Sequence, residues 1–248
     1  MHPEITVLIE SEENRSLQWL SAGDPQFTVD GLWWWRENGG GFIRLPRRAE
    51  PVVRPPVWDL ARCPSGGRVR FRSDTTTLRL IIRHDAESLG MAHMCNVGTS
   101  GIDLYEGPPE RMTYSQSNRP TEPPGPYVCP YVAELPRQMR ELTLYLPTYT
   151  PLADLYIGID REAEPASPSA YRLPRPIVFY GTSITQGGCA SRAATGFVPV
   201  VGRALGVDVV NLGFSGNGKG EPEMARLVSE IDAACFVMDS VANMPPEL

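Results

Sequence analysis

No histidine follows His93, although the most chemically suggestive serine of the chain lies far beyond it. Acid–base chemistry at that serine has no partner close by in sequence. There is no C-x-x-C pair either. The five cysteines, Cys63, Cys95, Cys129, Cys189 and Cys235, are an odd and scattered set. That excludes a disulfide framework and a zinc-site spacing, and no metal or cofactor is expected. Free cysteines are usually interior, so reduced and mostly buried thiols are expected. Basic charge is scarce as well: 23 Lys and Arg against 29 Asp and Glu leave a net charge of -6. Nucleic acid is therefore not an expected partner, since such proteins carry a basic face. No apolar run approaches the about 18 residues that span a bilayer, so no membrane partner is expected. Met1-His2-Pro3-Glu4 is acidic where a signal peptide is basic, and no apolar h-region follows, so a cytoplasmic protein is expected.

What is present falls into two parts. Up to about Asp160 the chain alternates with period two, as in Arg68–Arg72, Thr77–Ile82, Glu141–Leu146 and Asp154–Ile159. Turn-forming Gly, Pro, Asn and Asp separate these runs, and no long 3.6-residue stripe interrupts them. The pattern predicts an all-β sandwich or jelly roll over 1–161. Residues 162–174 are polar and Pro-rich, as a semi-rigid linker is.

From 175 onward three continuous apolar runs appear: Pro176–Tyr180, Val207–Leu212 and Ala234–Met238. Such runs suit parallel strands buried on both faces. Phe197–Leu205 is helix-like and Gly206 is placed to end it. Pro222 suits a first helical turn, and Met224, Leu227, Val228 and Ile231 share one helical face. The order β-α-β-α-β begins a doubly wound α/β sheet. Three strands cannot cover a parallel sheet on both faces, so 175–248 is expected to be the first part of a larger domain. Its exposed flank predicts aggregation or a homo-oligomer.

Gly181-Thr-Ser-Ile-Thr-Gln-Gly-Gly188 follows the first apolar run directly and sets Ser183 at a strand tip. Ser183, Gly213 and Asn243 each lie just past the end of an expected strand, 30 residues apart. Right-handed crossovers put all three tips on one sheet edge. A hydroxyl, a backbone N–H and a side-chain amide converging there suit attack on an ester carbonyl.

These residues resemble the SGNH (GDSL-type) hydrolases. Gly181–Gly188 is similar to their first block, with Thr182 where many members have Asp. Asn211–Gly218 is similar to the glycine block, and Asp239–Met244 to the asparagine block. Gly101-Ile-Asp-Leu-Tyr105 resembles the G-x-D-L-Y signature of the β-sandwich that precedes the hydrolase domain in one branch. The resemblance implies a flavodoxin-like domain and makes Ser183 the nucleophile, with its own N–H in the oxyanion hole. Gly213 would add a backbone N–H and Asn243 a side-chain amide. The family's Asp-x-x-His block, source of the base and its orienting carboxylate, is missing from 1–248. The chain is thus expected to be truncated and inactive alone.

The implied activity is hydrolysis of small O-acyl esters, acylated sugars or other O-acyl metabolites among them, through an acyl-Ser183 intermediate. An acyltransferase using the same intermediate, or a carbohydrate-binding protein with a hydrolase remnant, are the alternatives. Bland roles compete for each residue: a turn or N-cap for Ser183, turn punctuation for Gly213, an N-cap before Pro245 for Asn243. Gly213–Lys219 also fits G-x-x-x-x-G-K, but Gly220 stands where a phosphate loop needs Ser or Thr. His84 and His93 are expected to be structural, Asp103 and Tyr105 to support the fold, and Asp239 to stabilise its loop. Cys189 is a weaker rival nucleophile. Trp33-Trp34-Trp35 is a packing element or a sugar platform, and Arg119–Pro130 a solvated connection or a lid.

Overall fold

The computed structural model describes residues 2–120 and 125–244. The first part holds the strands β1 (Leu17–Ser21), β2 (Thr28–Asp30), β3 (Arg68–Ser73), β4 (Leu78–His84), β5 (Asp103–Glu106), β6 (Thr113–Ser117), β7 (Tyr127–Val132), β8 (Arg140–Tyr145) and β9 (Leu152–Asp160). It is not all-β: the short helices α1 (Pro3–Glu10), α2 (Pro55–Ala61) and α3 (Asn96–Ser100) sit among them. The strands form two antiparallel sheets, ordered β1-β9-β4-β7 and β2-β3-β8-β5-β6. Pro130 lies in β7 at a sheet edge, where a strand tolerates a missing N–H. Of the stretch considered as a lid, 121–124 lie outside the described residues, and its end is β7 itself.

Period two explains the layering. Val69 and Phe71 of β3 and Leu142 and Leu144 of β8 join one core with Leu80, Ile82, Ile157 and Ile159 of the other sheet. Side chains of a strand alternate between faces, so Arg68, Arg70 and Tyr145 point the other way. That face is buried too, with Arg68 and Arg70 each 2% exposed. Arg70 pairs with Asp30 at 3.1 Å and Glu141 at 2.9 Å, and Arg68 pairs with Asp208 of the second part. Arg203 lies 4.4 Å above the Tyr105 ring. The expected linker is part of this seam: Arg72 and Ala166 form a β-bridge, and Tyr171 stacks 4.1 Å from Arg70.

The second part comprises β10 (Ile177–Gly181), α4 (Ser183–Gln186), α5 (Phe197–Leu205), β11 (Val209–Gly213), α6 (Pro222–Ser229) and β12 (Cys235–Asp239). The strands are parallel in the order β11-β10-β12. Gly206 ends α5 in the left-handed region at φ 65°, as a C-cap glycine does. One face of the sheet, Phe179 and Val209, packs on Val198 of α5. The other, with Val178, Tyr180, Val210 and Leu212, packs on Met224, Leu227 and Val228 of α6 and also on Trp34, Leu45, Val57 and Trp58. The first part therefore covers a face that the sequence left open. The expectation of strands buried on both faces holds for β10 and β11 but not for β12, whose Phe236 and Met238 are 44% and 58% exposed. Among the described residues no helix is long and apolar enough to cross a membrane.

Candidate active site

Parallel pairing aligns Gly181 of β10 with Gly213 of β11 and Asp239 of β12. The three loops that follow thus leave from one edge, where ligands of open α/β sheets bind. Ser183 opens α4, but the capping belongs to Thr182, whose side chain accepts from the Ile184 N–H at 3.3 Å. Ser183 is half-buried, and its hydroxyl and N–H have no hydrogen-bond partner among the described residues. Its carbonyl is held by the Gly188 N–H at 2.7 Å and approached by the Tyr149 hydroxyl at 3.5 Å. Asn243 lies in the helical turn Val241–Asn243 after β12, half-buried, its side-chain amide likewise without a partner among the described residues. The cap role before Pro245 lies outside the described residues.

Gly213 is placed differently from expectation. It is buried, and its N–H donates to Asn211 Oδ1 at 2.9 Å, so that hydrogen is not free for a ligand. Glycine is needed there for packing: a Cβ would fall 2.1 Å from the Gln186 nitrogen in α4. Three residues on, Gly216 is exposed at φ +66°, with its N–H unpaired among the described residues. The Asn217 and Gly218 N–H groups both turn back to the Phe214 carbonyl, at 2.8 and 2.9 Å. That closed turn is not a phosphate cradle, which needs its amides turned outward.

A buried polar scaffold fixes these loops. Asn211 Nδ2 donates to the Thr185 carbonyl at 2.7 Å, and Gln186 Oε1 accepts the Ser215 N–H at 3.0 Å. Thr185 donates to Asp239 at 3.0 Å, joining α4 to the end of β12 and giving Asp239 its loop-stabilising role. Two arginines of the first part hold the glycine loop from outside. Arg44, 1% exposed, donates to the carbonyls of Leu60 and Cys63 (each 2.7 Å), Asn211 (3.1 Å) and Gly213 (2.6 Å). Among the described residues no carboxylate pairs with it, and burial lowers its pKa to about 10. Arg54 spans Glu221 at 2.6 Å, Asn217 Oδ1 at 2.7 Å and the Asn217 carbonyl at 3.0 Å. Tyr149, its phenol pKa raised by burial, lies beside both Ser183 and Ser215. Sequence reasoning missed Gly216, Tyr149, Arg44 and Arg54. Only Gly216, inside an Asn-Gly-rich turn, carried a local signal.

The rivals separate clearly. His84 is 4% exposed and shares Tyr127 through its Nε2 at 3.3 Å; burial lowers its pKa to about 4. His93 is exposed on a loop whose carbonyl lies 3.8 Å from the Cys189 sulfur. No histidine is hydrogen-bonded to Ser183 among the described residues. Asp103 accepts the Ala194 N–H at 2.8 Å, tying the G-x-D-L-Y strand to the second part. All five cysteines are free, but only Cys63 is buried; Cys95, Cys189 and Cys235 are exposed, against expectation. Among the described residues no His, Cys, Asp and Glu cluster could hold a metal ion.

This arrangement fits what comparison with known proteins shows. Residues 17–164 match the GxDLY family, the N-terminus of SGNH-hydrolase-type esterases. Residues 174–247 match the GDSL-like lipase/acylhydrolase family. The chain belongs to the GDSL-like SGNH-hydrolase-type esterases that carry this N-terminal part. No curated protein matches it. A protein from Bacteroides ovatus ATCC 8483 described as a GDSL-like lipase is similar over 93% of this chain, with 25% identity and a TM-score of 0.83. A salicylyl-acyltransferase from a tetracycline biosynthetic pathway shares the fold over 92% of the chain, at 20% identity and a TM-score of 0.71. An acetyl xylan esterase from the rumen bacterium Butyrivibrio proteoclasticus shares it over 81%, at 15% identity and a TM-score of 0.51. The chain spans 66%, 63% and 50% of the lengths of these three structures.

Proposed function

We propose that this protein is a serine esterase that cleaves small carboxylic esters through an acyl-Ser183 intermediate. The observation that carries the proposal is the grouping, at one sheet edge, of a serine hydroxyl with donors at Ser183 N–H, Gly216 N–H and Asn243, all without a hydrogen-bond partner among the described residues. Ser183 Oγ bonds to the acyl carbon, its proton passes to a general base, and the alcohol leaves with a proton returned by that base. Water then attacks the acyl-enzyme, releasing the acid and restoring the serine. The developing oxyanion is met by the three donors, with Gly216 taking the part expected of Gly213. The base is taken to be the histidine of the Asp-x-x-His block that the family resemblance implies. In this reading the antiparallel sheets form a jelly-roll-like sandwich over 1–161, joined through 162–174 to an SGNH α/β domain beginning at 175. An alcohol acceptor in place of water would make the same acyl-enzyme an acyltransferase.

The test is p-nitrophenyl acetate turnover by the full-length protein. Ser183→Ala is expected to reduce turnover to background. Asn243→Ala is expected to lower kcat by roughly 100- to 1000-fold, the effect of losing one oxyanion donor. Undiminished turnover by Ser183→Ala would refute the nucleophile and leave a carbohydrate-binding protein with a hydrolase remnant. An unchanged rate for Asn243→Ala would refute its oxyanion role.

A further inference from the structure

The three consecutive tryptophans have different fates. Trp34 is buried in the core, its indole N–H donating to Glu230 at 3.2 Å, and Trp33 is 40% exposed. Trp35 is half-buried, one side of its ring against Phe42 at 5.1 Å between centroids. Its outer edge is left bare by glycine. A Cβ on Gly23 or Gly40 would lie 3.6 or 3.5 Å from the indole, so a side chain at either position would cover the ring. Trp35, Gly23, Gly40, Phe42, Ser21 and Asp24 line a cleft of about 460 Å³. Phe42 continues into a second cleft of about 280 Å³ that ends on Pro151, Leu152 and Ala153. Both volumes are of the order of ligand clefts, about 300–1,000 Å³.

We propose that this double cleft binds a neutral oligosaccharide, stacked on Trp35, with the buried Phe42 backing the indole from the core. An aromatic face packs against the C–H face of a pyranose, while carboxylate and guanidinium groups pair with its hydroxyls. Those groups are present. Asp24 spends one oxygen on the Gln26 N–H at 3.0 Å, and its other oxygen has no partner among the described residues. Arg62 pairs with Asp85 at 2.5 Å on the wall of the second cleft, with Arg47 beside them. Two carboxylates thus balance two guanidinium groups, which suits an uncharged ligand. The cleft also has a direction. Pro151 follows Thr150 and Tyr149, and the Tyr149 hydroxyl lies 3.5 Å from the Ser183 carbonyl. A saccharide seated on Trp35 would run toward the nucleophile. That last step rests on the esterase reading; the binding itself does not.

The test is isothermal titration of xylohexaose and of cellohexaose into the full-length protein, with Ser183→Ala, Trp33→Ala, Trp35→Ala and Gly23→Val beside the parent. Gly23 has no positive φ, so valine there covers the indole without backbone strain. We expect at least one hexasaccharide to bind the parent, Ser183→Ala and Trp33→Ala alike. Trp35→Ala and Gly23→Val should weaken it by about tenfold or more, equivalent to roughly 1.4 kcal/mol, with Gly23→Val melting as the parent does. Binding of neither sugar, or parent-like affinity in Gly23→Val, would overturn the proposal. Sugar binding together with ester turnover that survives Ser183→Ala would overturn the esterase reading alone.

Discussion

Arg44 offers the sharpest test of how the two parts of this chain are joined. Its guanidinium is fully buried, lies 4.7 Å from the centre of the Phe214 ring, and donates to the carbonyls of Leu60 and Cys63 near the end of α2 and of Asn211 and Gly213 in β11. Replacing it with methionine keeps the apolar stem and removes every N–H. Four carbonyls then lose a charged donor, and a buried polar group left unpaired costs roughly 1–3 kcal/mol. Against that stands the relief of a buried cation. Burial lowers the Arg44 pKa from 12.5 to about 10, and at about 1.4 kcal/mol per pKa unit the relief is roughly 3 kcal/mol. The carbonyls lie at a protein seam that can relax, so the balance falls at about 2–5 kcal/mol of destabilisation. Urea unfolding followed by tryptophan fluorescence reads this directly, with Arg36→Met at an exposed position as control. Arg44→Met within about 1 kcal/mol of the parent, or above it, would refute the reasoning, as it would if replacing this buried charge with apolar bulk were the larger gain.

His84 is held near pKa 4 by burial, below the 6.5 of an exposed histidine. The unfolded chain therefore takes up that proton first, and stability present above pH 6.5 is lost as pH falls toward 4. The loss is roughly 3 kcal/mol in total. Melting curves of His84→Gln between pH 7 and pH 4 should fall less steeply than those of the parent; equal slopes would contradict the assignment. Arg54 grips Asn217 and Glu221 around Gly216. In Arg54→Met the amides of 214–221 should exchange with deuterium faster and kcat should drop with little change in KM, partly recovered in Arg54→Lys. Unchanged exchange would show that the loop holds its shape without this clamp.

Local regularities were legible in the sequence. The alternation of Glu141–Leu146 became β8, the Met224, Leu227, Val228 stripe became the buried face of α6, and Gly206 ended α5. The three strand tips were legible because chain spacing and parallel pairing together fix them on one edge. What alternation does not say is what lies against the polar face. Alternation sets Arg68 and Arg70 on the face opposite Val69 and Phe71, and that face is buried against the second part. α2 is seven residues long and opens on two prolines, too short to show a helical stripe. Nothing local announced that Arg44 and Arg54, both ahead of its start, would reach the glycine loop. Gly213 was misjudged for a related reason. Its place at a strand tip is plain in sequence, but the capture of its N–H by Asn211 is a matter of side-chain orientation.

Covalent labelling reads the reactivity of Ser183 without a known substrate. The full-length protein would be treated with a fluorophosphonate ester and digested, and the modified peptide mapped by mass spectrometry. With Ser183 as nucleophile, a single adduct is expected on it, absent from Ser183→Ala and slowed in Asn243→Ala. An adduct on another residue, or equal labelling of Ser183→Ala, would contradict that role.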